Sequence, residues 1–246
     1  MAKVVRSLEV VDREQVSPNL LRVTLGGAAL SDFPAGFEGG YIKLVLPEGD
    51  DNPAMRSYTI KEFRNETSEL VFDMVSHGVA GPAARWSKSM KVGDAIDIGG
   101  PGPCQKIDPT ADWFLIAGDM SAVPAIQVNV ETLPSAAKGY LVLEVISEQD
   151  KPELDLPDGV DVHWVINPDP ESENTKLEDT VKELPWLEGH VSAWVAGEFS
   201  ASRSVRQYFR HERKVAKESM YVSCYWKIGQ TDEGMKAAKR ADTEAW

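Results

Sequence analysis

Sulfur and imidazole are scarce in this chain. Its two cysteines, Cys104 and Cys224, stand far apart, and its four histidines, His77, His163, His190 and His211, show no metal-ligand spacing. Two cysteines make neither a disulfide framework nor a zinc site, and no HExxH pattern is present. No apolar run approaches the ~18 residues of a membrane span. The start, MAKVVRSLEVV, soon alternates polar and apolar residues and lacks the apolar core of a signal peptide. Positive charge is short as well: 26 Lys+Arg against 39 Asp+Glu, a formal net charge of -13. A phosphate backbone rewards a basic surface, which argues against nucleic acid as a general partner. The expectation is a cytoplasmic protein with no protein-ligated metal, no membrane contact and no nucleic-acid partner.

The shortage of positive charge is uneven. Residues 201–246 hold 10 Lys+Arg against 6 Asp+Glu, so a basic tail follows an acidic body. Arg203, Arg206, Arg210 and Arg213 either form a local anion site or coat a solvated helix face. With 246 residues and 42% hydrophobic content, the chain is long enough for one large domain or two modest ones. The runs KVVRSLEVVDREQV, NLLRVTLGG, GYIKLVLP, RSYTIKEF, ELVFDMVS and DAIDIGG read as six short strands separated by Gly, Pro, Asn and Asp. Such spacing predicts a small antiparallel barrel, interrupted by a helix in GPAARWSKSM that opens at Pro82. The Gly/Pro-rich stretch GGPGPCQKIDPT marks a boundary, giving domains 1–105 and 106–246. Beyond it, DWFLIAG, GYLVLEVIS, VDVHWVIN, HVSAWVAGE and MYVSCYW read as strands. They alternate with helices in SAVPAIQVNVETL, TKLEDTVKEL and SASRSVRQYFRHER, the pattern of a parallel sheet.

Three segments carry chemistry. In RSYT, Arg56 and Tyr58 share one strand face, while Ser57 and Thr59 share the other. A guanidinium fork suits a pyrophosphate, a tyrosine ring can lie on a flavin, and a threonine hydroxyl can reach a flavin edge. The bland alternative is a surface strand with a mixed face. In SHGVAGPAARW, Gly81 and Pro82 open a helix whose free N–H groups suit an anion. His77 either bonds phosphate or caps a loop, and Trp86 either covers a ligand or plugs the barrel. In AGDMSAVPAIQ, a strand passes through Gly118, Asp119 and Ser121 into a helix, the place where α/β sheets bind ligands. It is not GxGxxG, having a single glycine at the turn.

Five motifs in order resemble the siderophore-interacting protein family. They are RxYT at Arg56–Thr59, HGxxGPAxxW at His77–Trp86, GDxxAxPA at Gly118–Ala125, WxAGE at Trp194–Glu198 and YWxxG at Tyr225–Gly229. The resemblance spans nearly the whole chain and implies a two-domain, ferredoxin-reductase-like fold: an N-terminal antiparallel β-barrel for FAD and a C-terminal α/β domain for the electron donor. It implies that Arg56 contacts the FAD pyrophosphate, Tyr58 stacks on the flavin, and Ser57 and Thr59 approach its edge. Asp73, Val75 and His77 would line the cofactor. Gly81, Pro82, Ala83 and Trp86 would hold its diphosphate and adenosine side, and Asp119, Ser121, Ala122 and Trp226 would approach from the second domain. Met120, Ser121 and Lys227 depart from the family pattern, which usually has Glu, Thr and Arg there, and they leave the donor open between NAD(P)H and reduced ferredoxin.

The implied reaction is reduction of Fe(III) held in a siderophore, with the flavin carrying the electrons and no catalytic acid or base required. Lys61, Arg64, Lys227, Lys236, Lys239 and Arg240 are candidates to receive an anionic iron complex. They are chosen by nearness in sequence to the flavin segments. The alternatives are a general NAD(P)H:flavin or ferredoxin reductase, and a flavin-bound carrier that holds a siderophore without reducing it.

Overall fold

The computed structural model describes residues 5–47, 53–75 and 81–244. The chain forms two compact units, Met1–Lys106 and Ile107–Trp246. In the first, alternating apolar residues build β1 (Val5–Ser17), β2 (Leu20–Gly26), β3 (Tyr41–Leu46), β4 (Ala54–Thr59), β5 (Glu62–Arg64), β6 (Glu69–Val75) and β7 (Ala95–Gly102). They pair antiparallel in the order β4-β3-β7-β1-β2-β6-β5. Every second residue points inward: Leu8 and Val10, Leu21, Val23 and Leu25, Ile42, Leu44 and Leu46, Leu70, Phe72 and Met74, Ile96 and Ile98 form one core. Each such side chain contributes roughly 1.5–3 kcal/mol through its removal from water.

The run RSYTIKEF, expected as one strand, is two. The Ile60 N–H bonds the Gly40 carbonyl (2.8 Å), while the next N–H, on Lys61, bonds the Val71 carbonyl (2.9 Å). The chain thus leaves β3 and joins β6 within one residue, so β4 and β5 belong to opposite edges of the sheet. This crossing links the two edges and closes the barrel. Helix α1 (Pro82–Ser89) follows β6, with Gly81 as its N-cap and Pro82 in its first turn. Proline there needs no N–H partner.

The second unit holds β8 (Trp113–Gly118), α2 (Val123–Val130), β9 (Lys138–Val145), β10 (Gly159–Ile166), α3 (Lys176–Glu183), β11 (Val191–Glu198), α4 (Phe199–Gln207), β12 (Met220–Trp226) and α5 (Asp232–Glu244). The strands are all parallel, in the order β10-β9-β8-β11-β12. Strand β8 is buried along its whole length, as expected of a strand covered on both faces. Trp113, Leu115 and Ala117 face a cluster built from α3 and α4, with Leu177, Val181 and Val205, and from the π-turn after α4, with Tyr208 and Phe209. The expected helix in SAVPAIQVNVETL begins instead as a short 3-10 turn at Met120–Ala122.

Gly139 sits at the start of β9 with φ +141, and a Cβ there would overlap the Phe114 carbonyl of β8. Both the dihedral and the neighbour demand glycine. Gly139→Ala is expected to destabilise the second unit by about 2–4 kcal/mol, seen as a lowered urea midpoint for the transition of that unit.

Candidate functional site

In the first unit the site residues lie on the edge strand β4 and around α1. Among the described residues strand β4 pairs with β3 alone, in a register that sets Tyr58 opposite Ile42 and Arg56 opposite Leu44. The Tyr58 ring is half-buried and rests against Phe72 (centroids 5.3 Å apart, tilted 44°). Burial pushes its phenol pKa up, against the opposing pull of the Arg56 charge, so the ring is a neutral aromatic surface at any physiological pH. The Arg56 guanidinium donates to the Met55 carbonyl (3.1 Å), and among the described residues no carboxylate pairs with it. Ser57 is exposed and Thr59 buried.

Asp73 has a different setting. Its carboxylate is fully buried and takes both prongs of the Arg22 fork, Nε at 2.8 Å and Nη2 at 3.0 Å. Lys61 stands 3.9 Å away. The buried charge is compensated by the protein's own cations, and the bond to the Asp73 carboxylate in turn holds the Arg22 pKa above its ordinary value. Val75 ends β6. Gly81 caps α1 without a side-chain bond, and no acidic residue stands in its first turn. Ala83 and Trp86 pack against the barrel core. His77 lies outside the described residues, as does Trp246.

In the second unit, β8 is flanked by β9 on one side and β11 on the other, so the switch point of the sheet lies between β8 and β11. Two similar tripeptides end these strands, Ala117-Gly118-Asp119 and Ala196-Gly197-Glu198. Asp119 is buried and saturated. Its Oδ1 accepts from the Ser121 N–H (2.8 Å) and hydroxyl (2.5 Å), and its Oδ2 from the Glu198 N–H (2.7 Å) and the Trp226 indole (2.8 Å). Gly197, at φ +149, is required here, because a Cβ would fall 2.5 Å from Asp119 Oδ2. Glu198 turns its own carboxylate onto the N–H groups of Ser200 and Ala201 at the start of α4 and onto the Ile228 N–H (3.2 Å). Ala122 is buried at the end of the 3-10 turn. Glu144 of β9 borders the same small cavity as Asp119, Glu198 and Trp226.

The tail arginines are largely committed. Arg203 and Arg206 both pair with Asp242 of α5 (2.8 and 2.5 Å), and Arg213 lies over the rings of Trp186 and Tyr208. Among the other cations, Arg64 pairs with Glu62 and Glu69, Lys236 with Asp232, and Lys227 lies over the Phe199 ring at 4.4 Å. Lys239 is half-buried and Arg240 exposed. Sequence reasoning gave no role to two residues, Arg22 and Glu198, the second named only as the end of WxAGE. The repeated Ala-Gly-acid ending could have marked Glu198, whereas Arg22 gives no signal without its register partner Asp73.

An antiparallel barrel joined to a doubly wound parallel sheet defines the ferredoxin-reductase-like class. The fold matches ferredoxin-NADP+ reductase from Plasmodium falciparum with a TM-score of 0.59 at 14% identity, over 89% of this chain and 95% of that one, a likeness of fold alone. The chain belongs to the siderophore-interacting protein family. The family's pattern matches residues 111–229, and the siderophore-interacting FAD-binding domain matches 9–52 and 46–104. The ferric vibriobactin reductase ViuB of Vibrio cholerae serotype O1 is 36% identical over 93% of this chain and 91% of its own. The siderophore-interacting protein SipS from Aeromonas hydrophila has the same fold with a TM-score of 0.88 at 32% identity, over 98% and 99% of the two chains. Among the described residues no helix is long and apolar enough to cross a membrane.

Burial raises the Glu144 carboxyl pKa, a bond from Asn167 opposes the shift, and the Asp119 charge adds to it. A pKa raised on folding means that the neutral form is favoured in the native state. That stability is present at low pH and lost as pH rises through the folded-state value. Glu144→Gln carries no such charge. Its melting temperature is expected to exceed the parent's at pH 7, with the difference vanishing towards pH ~4, in paired thermal scans across that range.

Proposed function

We propose that this protein is an FAD-dependent reductase that converts Fe(III) held in a siderophore to Fe(II), with electrons from NAD(P)H or reduced ferredoxin, in the cytoplasm. The observation that carries this reading is the similarity to ferric vibriobactin reductase, which runs through both units rather than through the flavin half alone.

The residues of the first unit fit the cofactor. Arg56 offers a guanidinium, and the start of α1 at Gly81, Pro82 and Ala83 offers the N–H groups of Gly81 and Ala83, to a diphosphate. Tyr58, backed by Phe72, offers a neutral ring for stacking, with Ser57 and Thr59 beside it. Asp73 belongs to this region as a clamp on Arg22 and Lys61. Val75 and His77 would line the ring, and Trp86 the adenosine side. Asp119, Ser121, Ala122 and Trp226 are the second unit's candidates. When bound, FAD supplies acceptance of two electrons and their release one at a time.

Hard oxygen ligands hold Fe(III) far more tightly than Fe(II), so reduction alone loosens the metal and the protein need not ligate it. What the chain must provide is a landing surface for an anionic complex. Lys227 and Arg240 are the strongest of the six cationic candidates, and Lys239 stands one residue before Arg240 on α5. The charges of Arg64 and Lys236 are balanced by neighbouring carboxylates, and that of Lys61 faces Asp73.

The reading is tested by an anaerobic visible spectrum of the FAD-loaded protein, reduced with dithionite and then given a ferric tris-catecholate with an Fe(II) trap. Return of the oxidised flavin spectrum together with trapped Fe(II) supports it. A reduced flavin that the complex does not reoxidise would indicate a general reductase or a carrier. Reversing two charges, Lys227→Glu with Lys239→Glu, is expected to weaken binding of the tris-catecholate about tenfold at low ionic strength and less in high salt. Unchanged affinity in a tryptophan-quenching titration would remove those lysines from the site.

A further inference from the structure

A doubly wound sheet receives a dinucleotide at its switch point, where N–H groups at the start of the following helices meet the diphosphate. In this chain those N–H groups are already met. At the end of β8, Asp119 accepts from the Ser121 N–H and hydroxyl at the turn that leads into α2. At the end of β11, Glu198 accepts from the Ser200 and Ala201 N–H groups at the start of α4. The two carboxylates are joined, because Asp119 also accepts from the Glu198 N–H. Glu144 adds a third carboxylate to the same small cavity.

The first unit shows the opposite choice. There the N-terminus of α1 has no side-chain cap and no acidic residue in its first turn. Among the described residues the chain thus sets no side-chain acceptor on the helix N-terminus where the FAD diphosphate is expected, and sets a carboxylate on each of those at the sheet's switch point.

We propose that Asp119 and Glu198 are specificity-determining residues of the second unit. Their carboxylates take the two positions that a nicotinamide dinucleotide's diphosphate would otherwise occupy, so this unit captures such a donor weakly and without a seated diphosphate. The inference rests on the reading of the second unit as the electron-donor domain. The physical cause is twofold: the N–H donors are spent, and a fixed negative charge at contact distance repels a second one, the more so where water is partly excluded. The Ser121 hydroxyl is spent in the same way, on Asp119. Four hydrogen bonds hold the Asp119 carboxylate in place, in space that a Cβ on Gly197 would otherwise fill.

The experiment measures binding of ADP-ribose and 2′-phospho-ADP-ribose, which carry the diphosphate without the nicotinamide, to the flavin-loaded protein by titration calorimetry. The parent and the variants Glu198→Gln, Asp119→Asn and Glu198→Asp are compared. Glu198→Gln and Asp119→Asn are each expected to tighten the Kd about tenfold. Glu198→Asp keeps the charge and is expected to bind no better than the parent. Should Asp119→Asn lose flavin or melt early, Glu198→Gln decides alone. A Kd that is the same or weaker in Glu198→Gln overturns the proposal, as does equal tightening in Glu198→Asp. Dithionite-driven reduction of the ferric complex by the parent involves no dinucleotide, so failure here leaves the reductase reading standing, and failure there leaves this measurement interpretable.

Discussion

One carboxylate ties together the carboxyl ends of three adjacent strands. Asp119 closes β8, receives the N–H of the last residue of β11, and receives the indole of the last residue of β12. A buried carboxylate without partners would cost several kcal/mol, so all four of its donors must be present together. That requirement reaches outward. Gly197 must lack a side chain, Ser121 must turn back on the loop, and Trp226 must hold its ring edge towards the sheet. Glu198, positioned by its own N–H, then caps α4 and anchors Ile228 beyond β12. The end of the sheet where α/β proteins keep their ligands is organised from within by charge.

The barrel solves a similar problem in a different way. Asp73 is as buried as Asp119, but it is matched by a cation across the β2–β6 ladder rather than by N–H groups. The same face is closed by the crossing at Ile60 and Lys61, so Lys61 is brought near Asp73 by the step that completes the barrel. Arg56, two residues before Tyr58 on the edge strand, remains without a carboxylate partner among the described residues. The chain sets other arginines against Asp32, Asp73 and Asp242, whereas the described partner of Arg56 is the Met55 carbonyl.

Much of this architecture was legible from periodicity. The inward alternation of β1, β2, β3, β6 and β7 and the unbroken apolar run of β8 follow from residue type alone, because a half-buried strand and a fully buried one demand different patterns. The division of RSYTIKEF was not legible, since the alternation runs on through Ile60 and only the change of hydrogen-bond partner from Gly40 to Val71 breaks the strand. The tail arginines were ambiguous for a comparable reason: Arg203 and Arg206 look like an anion site until Asp242, on another helix, is brought against them.

The motifs by themselves determined the class of ligand. Arg56 and Tyr58 two apart on a strand read alone as a mixed surface strand, and they ask for a phosphorylated aromatic cofactor only in company with the glycine-proline helix start that follows. Five such segments in order determined the family. Only the tertiary structure decided how the carboxylates are used. Asp119 and Glu198 are 79 residues apart, and Arg22 and Asp73 are 51 apart. In sequence each is one acidic or basic residue among many. Whether a charge is free to bind a ligand or is spent inside the protein depends on which donors the fold brings within hydrogen-bond reach, and the parallel ladder and the antiparallel barrel settle that.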